Sequence, residues 1–298
     1  MTVKKMATVE ELIAAVRSDY RQWNTKSFPW FRGEPLAITT PLLPALFRGP
    51  HDENRLLQQF RQKAPSLGLG VIPHRDHTDQ WLFLARHVGL PTRLLDWTEG
   101  LLIALLFAVI DGKGEPRAEK DGAMVWMLDP IELNRQSNPF NPSRDNEFPL
   151  TWPNAPTERP TREEVLSWVI ASVEEPADTV KYPNRASFLK ATRDSMLPNM
   201  GAMNVRLAWG DPDAGTDLPV AVHGTSIHPR ITAQKGCFTI HGKIQKPLSD
   251  IVPDRILRQY HIQGPLNSIR TDLRMIGITY STMFPDLDGL ATDLRSWL

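Results

Sequence analysis

The chain has 298 residues with 41% hydrophobic side chains, enough apolar material for a sizeable core in one large or two ordinary domains. Its formal net charge is zero, which excludes a global field drawing it to nucleic acid or to anionic membranes and leaves any such contact to a local basic patch. The single cysteine, Cys237, excludes an intrachain disulfide framework and a cysteine-rich zinc site, and suits a reducing compartment.

The first residues lack an apolar stretch of signal-peptide length, so a cytoplasmic protein without membrane attachment is expected. Residues 8–23 read as a helix, with Thr8 and Glu11 spaced as in a capping box. Residues 28–32 read as a strand turning at Gly33, where aromatics surround one arginine, Arg32; a guanidinium so placed needs a carboxylate or phosphate partner. Residues 53–63 form a helix with Leu56, Leu57 and Phe60 inward. His74, Asp76, His77 and Asp79 lie close together, but a loop before a helix is where polar residues gather, and no metal is expected.

The unusual chemistry is concentrated over residues 86–109. A helix over 81–88 stops at Gly89, Pro91 blocks its continuation, and 92–96 reads as a short strand. Thr98 is the expected N-cap of a helix over 101–110 that is apolar all round, and is therefore buried on every side. Around these joints stand His87, Thr92, Arg93, Asp96 and Trp97, an imidazole, a guanidinium and a carboxylate at element ends beside a rigid core. Either Arg93 and Asp96 pair with each other as a stabilising network, or the group faces a ligand.

Further on, 123–128 is a buried strand and 131–162 a long loop rich in Asn, Pro, Ser and Arg. A short helix follows over 163–173, then an amphipathic piece over 186–196, and the whole of 131–215 reads as an insertion or lid. Strands are expected over 218–222 and 230–240, the second carrying Arg230, Gln234 and Gly236. Cys237 beside Phe238 reads as a core thiol. A helix over 251–260, a short buried piece over 273–278 and a terminal helix starting near Pro285, with Asp286 and Asp288 in its first turn, complete the chain. The strands are too unevenly spaced for βαβ repeats, so the expected architecture is one α+β domain over 1–298, a mixed, largely antiparallel sheet with surrounding helices.

Phe31-Arg32-Gly33, the run His87-Val-Gly-Leu-Pro-Thr-Arg-Leu-Leu-Asp-Trp-Thr98 and Arg230-Ile-Thr-Ala-Gln-Lys-Gly-Cys-Phe238 together resemble the FRG-domain family, as does the ending Met283-Phe-Pro-Asp-Leu-Asp-Gly-Leu290. That resemblance implies a defence or toxin-like setting, antiphage action among them, with a neutralising antitoxin or a chaperone as partner. The layout also resembles, more remotely, ADP-ribosyltransferases, which implies NAD as co-substrate. On that resemblance Arg32 grips the dinucleotide phosphates, His87 or Thr92 meets ribose or nicotinamide, Trp97 stacks on a ring, and Gln234 stands where a late acid is usual. Glutamine cannot oppose the developing positive charge as an acid does, so Asp96 or Glu34 would supply it. The acceptor would be nucleic acid or protein.

Three readings stay open. A transferase predicts that Arg32, Arg93, Asp96 and Gln234 converge on one cleft. A nonenzymatic module would bind nucleic acid or a nucleotide through Arg32, Arg86, Arg93 and His87, with salt-sensitive affinity. An interaction scaffold would use the same groups only to hold the fold together.

Overall fold

The computed structural model describes residues 3–23, 28–38, 40–67, 73–74, 78–137, 218–223, 229–242 and 244–296. The short helix and the amphipathic piece expected over 163–173 and 186–196, and nearly all of the insertion, lie outside the described residues.

Among the described residues the fold is a mixed α+β arrangement on one seven-stranded sheet of order β1-β7-β4-β2-β3-β6-β5. The strands are β1 (Val3–Met6), β2 (Trp30–Pro35), β3 (Leu94–Thr98), β4 (Ala123–Leu128), β5 (Val220–Val222), β6 (Gly236–Ile240) and β7 (Leu257–Ile262). Only the β1–β7 pair is parallel; the other neighbours run antiparallel. β4 lies between β2 and β7 and is buried at every position, which explains why its sequence is continuously apolar rather than alternating.

Two layers cover the sheet. On one face Phe31, Val125, Met127 and Tyr260 pack against α1 (Val9–Tyr20) and α4 (Leu101–Val109). On the other, Trp30, Trp126, Leu128 and Trp97 pack with Leu42 and with Leu133 from α5 (Pro130–Ser137). Beyond β3, Leu94 and Phe238 meet Leu82 and Phe83 of α3 (Thr78–His87), whose other side rests on Leu57 of α2 (Glu53–Lys63). Thr8 caps α1 by accepting the Glu11 amide at 3.2 Å, while the Glu11 carboxylate reaches back to the Ala7 amide at 2.7 Å. That is one residue earlier than a strict capping box places it.

Several boundaries differ from the sequence reading. Gly33 is not a turn but lies within β2, because α4 crosses the strand there: a Cβ on Gly33 would overlap the Ala104 carbonyl oxygen and stand 2.6 Å from the Ala108 amide nitrogen. β3 begins two residues late, at Leu94 opposite Ile240, and extends to Thr98. Thr98 therefore ends a strand, and Gly100 occupies the N-cap of α4 without a side-chain cap.

The expected strand over 230–240 is a one-turn helix, α6 (Pro229–Ala233), followed by β6. Proline suits the first helical position, and the chain reverses at Lys235, whose φ of 46° lies in the left-handed region. The helix expected over 251–260 splits at Pro253 into α7 (Leu248–Ile251) and β7. The piece over 273–278 closes α8 (Leu266–Met275), and only its Leu273 is buried while Met275 and Ile276 are exposed. The loop expected from 131 instead starts as α5. The chain ends through α9 (Tyr280–Met283) and α10 (Leu287–Arg295), capped by Asp286, which accepts the Gly289 amide at 2.8 Å.

Candidate functional site

β2 and β3 share a single paired position, Phe31 opposite Thr98, whereas β2 pairs with β4 from Trp30 to Pro35 and β3 with β6 from Leu94 to Thr98. The two halves of the sheet therefore diverge past that point. Over the divergence lies a cleft of about 440 Å³, walled by β2, β3, β6, the end of α3, the end of α4 and the turn after α6. A split between strands is a ready place for a ligand, because unpaired backbone groups there must find other partners.

Arg32 supplies one such partner. Its Nη1 donates to the Asp96 carbonyl oxygen at 2.7 Å, taking the place of a ladder bond, and its Nε donates to Glu34 Oε1 at 2.9 Å. Glu34 is 2% exposed and also accepts the Trp126 indole N–H at 3.0 Å. The partner that the sequence demanded for Arg32 is thus two residues along the same strand, sealed beneath the guanidinium.

Asp96 faces the cleft with 40% of its side chain open. Arg86, one turn after Phe83 on α3, forks onto it: Nε donates to Oδ1 at 2.9 Å and to Oδ2 at 3.1 Å, and Nη2 donates to Oδ2. Burial pushes the Asp96 carboxyl up, but the charge and hydrogen bonds of Arg86, with Arg32 behind them, outweigh it and hold it below the usual carboxylate value. Asp96 in turn raises the Arg86 pKa against the pull of burial. Behind this group, Arg48 donates Nε to the Leu43 carbonyl at 2.8 Å, and burial together with the Arg32 charge lowers its pKa.

The far wall is tied to the end of β3. Thr98 donates its hydroxyl to the Gln234 carbonyl at 2.7 Å and accepts the Gly100 amide at 3.0 Å, while Gln234 Nε2 donates to the Met283 carbonyl at 3.2 Å. Arg230 donates Nε to Asp286 Oδ2 at 2.8 Å and lies 5.3 Å over the Phe284 ring. The cap of α10 and the cleft rim are therefore one network.

Of the residues singled out in the sequence, Arg32, His87, Asp96, Trp97 and Gln234 line the cleft, and so do Glu34, Arg86 and Arg230. Arg93 and Thr92 do not. Arg93 does not pair with Asp96 either: its Nε donates to Glu53 Oε2 at 2.7 Å, its amide to Glu53 Oε1 at 3.1 Å, and its Nη1 to the His241 carbonyl at 3.4 Å. It precedes β3, three residues from Asp96, so strand alternation turns the two side chains apart. Thr92 is buried, its hydroxyl accepting the Leu94 amide at 3.4 Å.

Trp97 is 3% exposed and donates its indole N–H to Thr239 at 3.1 Å, so it forms wall rather than an open stacking face. The half-buried rings on the cleft wall are instead Phe107 and Phe284, which sequence reading did not single out, whereas Phe83 and Phe238 are as sealed as Trp97. Cys237 is buried and its thiol pKa is pushed well up by burial, as befits a core thiol.

The fold and cleft together define a mixed α+β protein organised around a split sheet with arginine–carboxylate pairs at the opening. Residues 27–116 match the family model of the FRG domain. The match takes in Phe31-Arg32-Gly33 and the whole 87–98 run, while Gln234 and the 283–290 ending lie beyond it. No curated protein and no solved structure matches the chain. No helix among the described residues is long and apolar enough to cross a membrane, and none of their His, Cys, Asp and Glu side chains group as metal ligands would.

Proposed function

We propose that the cleft binds NAD and that the chain transfers its ADP-ribosyl group to a nucleic-acid or protein acceptor, as a toxin-like or antiphage effector of the cytoplasm. One observation carries the reading: Arg32 from β2, Asp96 from β3 and Gln234 after α6 converge on a single cleft whose volume suits a small-molecule site.

In this reading Arg32 and Arg86 offer planar donors to the diphosphate, and the half-buried Phe107 and Phe284 offer ring faces to the bases. Asp96, ionised and open to the cleft, opposes the positive charge that develops at the ribose C1′. Glu34 is sealed under Arg32 and holds that guanidinium in place. The bond from C1′ to the nicotinamide nitrogen breaks with its electron pair leaving on nicotinamide. A bond from the acceptor's nucleophilic atom to C1′ forms, and the acceptor's proton passes to Asp96 or to water. Gln234, anchored by Met283, orients the acceptor.

A second reading, nucleotide binding without chemistry, is favoured by a specific feature: the late polar position is glutamine, and Asp96 is already engaged by Arg86. The two part in one experiment. The protein is incubated with NAD and DNA, RNA or protein acceptors, and nicotinamide release and acceptor mass are followed for wild type, Arg32→Ala and Asp96→Asn. Transfer predicts release by wild type that falls by about 100-fold in Asp96→Asn while NAD is still bound. Salt-sensitive binding with no release from any acceptor would overturn the transferase and leave the binding module.

A further inference from the structure

The chain as a whole is neutral, yet residues 45–67 hold the cations Arg48, Arg55, Arg61 and Lys63 against two carboxylates, Asp52 and Glu53. Both carboxylates are already engaged: Asp52 caps α2 by accepting the Arg55 amide at 3.0 Å, and Glu53 is buried in its pair with Arg93. Leu57 and Phe60 turn α2 inward onto α3, with the Phe60 ring 6.0 Å from that of Trp81. The opposite side, an arc of about 140°, carries Arg55, Gln58, Gln59, Gln62 and Lys63, all exposed, with no carboxylate and no large apolar side chain among them. This face begins at the cleft. Glu53 is tied to the start of β3 and Phe60 to Trp81, so α2 runs antiparallel to α3 and its first turn stands beside the last turn of α3, where Arg86 holds Asp96. There Arg48, open to solvent over much of its surface, donates Nε to the Leu43 carbonyl at 2.8 Å and forms no ion pair among the described residues. Glu34 and Asp96 are within electrostatic reach but are taken by Arg32 and Arg86, so partial burial and then the Arg32 charge prevail and lower the Arg48 pKa.

We propose that Arg48 and the outward face of α2 hold the phosphate backbone of a nucleic-acid strand and lead it to the mouth of the cleft. Guanidinium, ammonium and amide groups are the donors that phosphate oxygens take, and such contacts position a strand without reading its bases. From Arg55 to Lys63 the face runs about 12 Å along the helix, with Arg48 at its cleft end. A protein partner needs an apolar or aromatic centre to its interface, and a membrane surface needs an apolar anchor; the face offers neither. The inference selects nucleic acid over protein as the acceptor and rests on the transfer reading for that role alone, since binding along α2 requires no chemistry in the cleft.

Fluorescence anisotropy of the full chain with labelled single- and double-stranded DNA and RNA of about 20 nucleotides, from about 50 to about 200 mM salt, tests this. At least one of these binds with a Kd below about 100 μM at the lower salt, and log affinity falls against log salt with a slope of about −2 to −3, as three phosphate contacts give. Arg55→Gln combined with Lys63→Gln weakens binding at least about fivefold whatever the base sequence, flattens the slope to about −1 and leaves Tm unchanged, because both side chains are exposed. Arg255→Gln, which removes an exposed cation beside Glu132 of α5, stays within about twofold of wild type. Binding by none of the oligonucleotides overturns the proposal, as does an equal loss in Arg255→Gln. A poly-glutamate peptide bound as tightly as the best oligonucleotide would mean that an acidic protein segment fits the face as well, and overturns it too. Oligonucleotide binding that the double variant loses, with no nicotinamide released from NAD, leaves this surface standing and removes the transfer reading; nicotinamide release onto a protein acceptor without oligonucleotide binding does the reverse.

Discussion

Arg86 and Asp96 stand ten residues apart in sequence, on a helix and on a strand, and close on each other as a forked ion pair at the mouth of the cleft. The pair fixes the end of α3 to the middle of β3 and holds the carboxylate ionised at the one place where the sheet is split. It serves the fold and the site together, so its removal has two separable consequences.

Asp96→Asn tests the first of these. The substitution keeps shape but leaves Arg86 without its counter-charge. A fully sealed pair would lose roughly 3–5 kcal/mol; with 40% of Asp96 open to the cleft, the expected loss is about 1–2 kcal/mol. Urea denaturation measures it. Outright unfolding would mean that the pair is chiefly a scaffold, and an unchanged midpoint that the cleft side chains are held by other contacts.

Gly33→Ala separates close packing from conformational freedom. Gly33 has an ordinary backbone conformation, and the added methyl would meet the backbone of α4, which cannot step aside as a flexible side chain would. The expected destabilisation is about 2–4 kcal/mol, with displacement of the adjoining Arg32. Gly236→Ala is the control: its nearest neighbour would be Ile231 Cγ2 at 3.4 Å, an ordinary contact, and stability should change by less than about 1 kcal/mol. Thermal melts of the two variants decide it, and equal losses would refute the packing account.

How far these features could be read beforehand depends on the distance over which they are specified. The all-apolar run of α4 and the strand at 123–128 are local patterns, and both stand within a residue of the sequence reading. Arg32 could be recognised as needing an anion because aromatics crowd it, though Glu34 was not evident as that anion. β1 and β7 escaped because a four-residue edge strand and the mixed sequence Leu-Arg-Gln-Tyr-His-Ile carry little periodicity of their own; their pairing is a long-range event. Arg230 to Ile240 alternates like one strand, and nothing local announces that Lys235, a residue other than glycine, turns left-handed between α6 and β6. Arg93 illustrates the same limit, since its partner Glu53 lies forty residues upstream on another element.

That pair makes a prediction of its own. Glu53 is buried and Arg93 nearly so, and neither borders the cleft. Glu53→Gln removes the charge from a largely desolvated ion pair and should cost about 2–3 kcal/mol. Nucleotide affinity and nicotinamide release, measured below the variant's unfolding transition, should stay within about twofold of wild type. A selective loss of turnover in a folded Glu53→Gln protein would return Arg93 to the functional residues and require a second approach to the cleft.

His241 gives the fold a dependence on pH with a definite sign. The ring is fully buried, and its Nε2 lies 3.3 Å from the Thr239 hydroxyl, which also accepts the Trp97 indole N–H. Its Nδ1 has no hydrogen-bond partner among the described residues, so nothing there offers a proton on that atom an acceptor. Burial first, and then the charges of Arg93 and Arg32, push its pKa down to about 3 from 6.5. Below pH 6.5 the unfolded chain takes up a proton that the folded chain refuses, so stability is fully present above that pH and is lost progressively as pH falls toward about 3. Between pH 8 and pH 5 this one group should remove about 2 kcal/mol. His241→Leu lowers stability at pH 8 by deleting the Thr239 contact, yet it should flatten the pH dependence by that same amount. His261, whose pKa burial also lowers, titrates in both proteins with the same sign and cancels from the comparison. Denaturation midpoints of wild type and His241→Leu at the two pH values measure the difference, and an equal slope in both would show that the imidazole does not remain neutral in the folded protein.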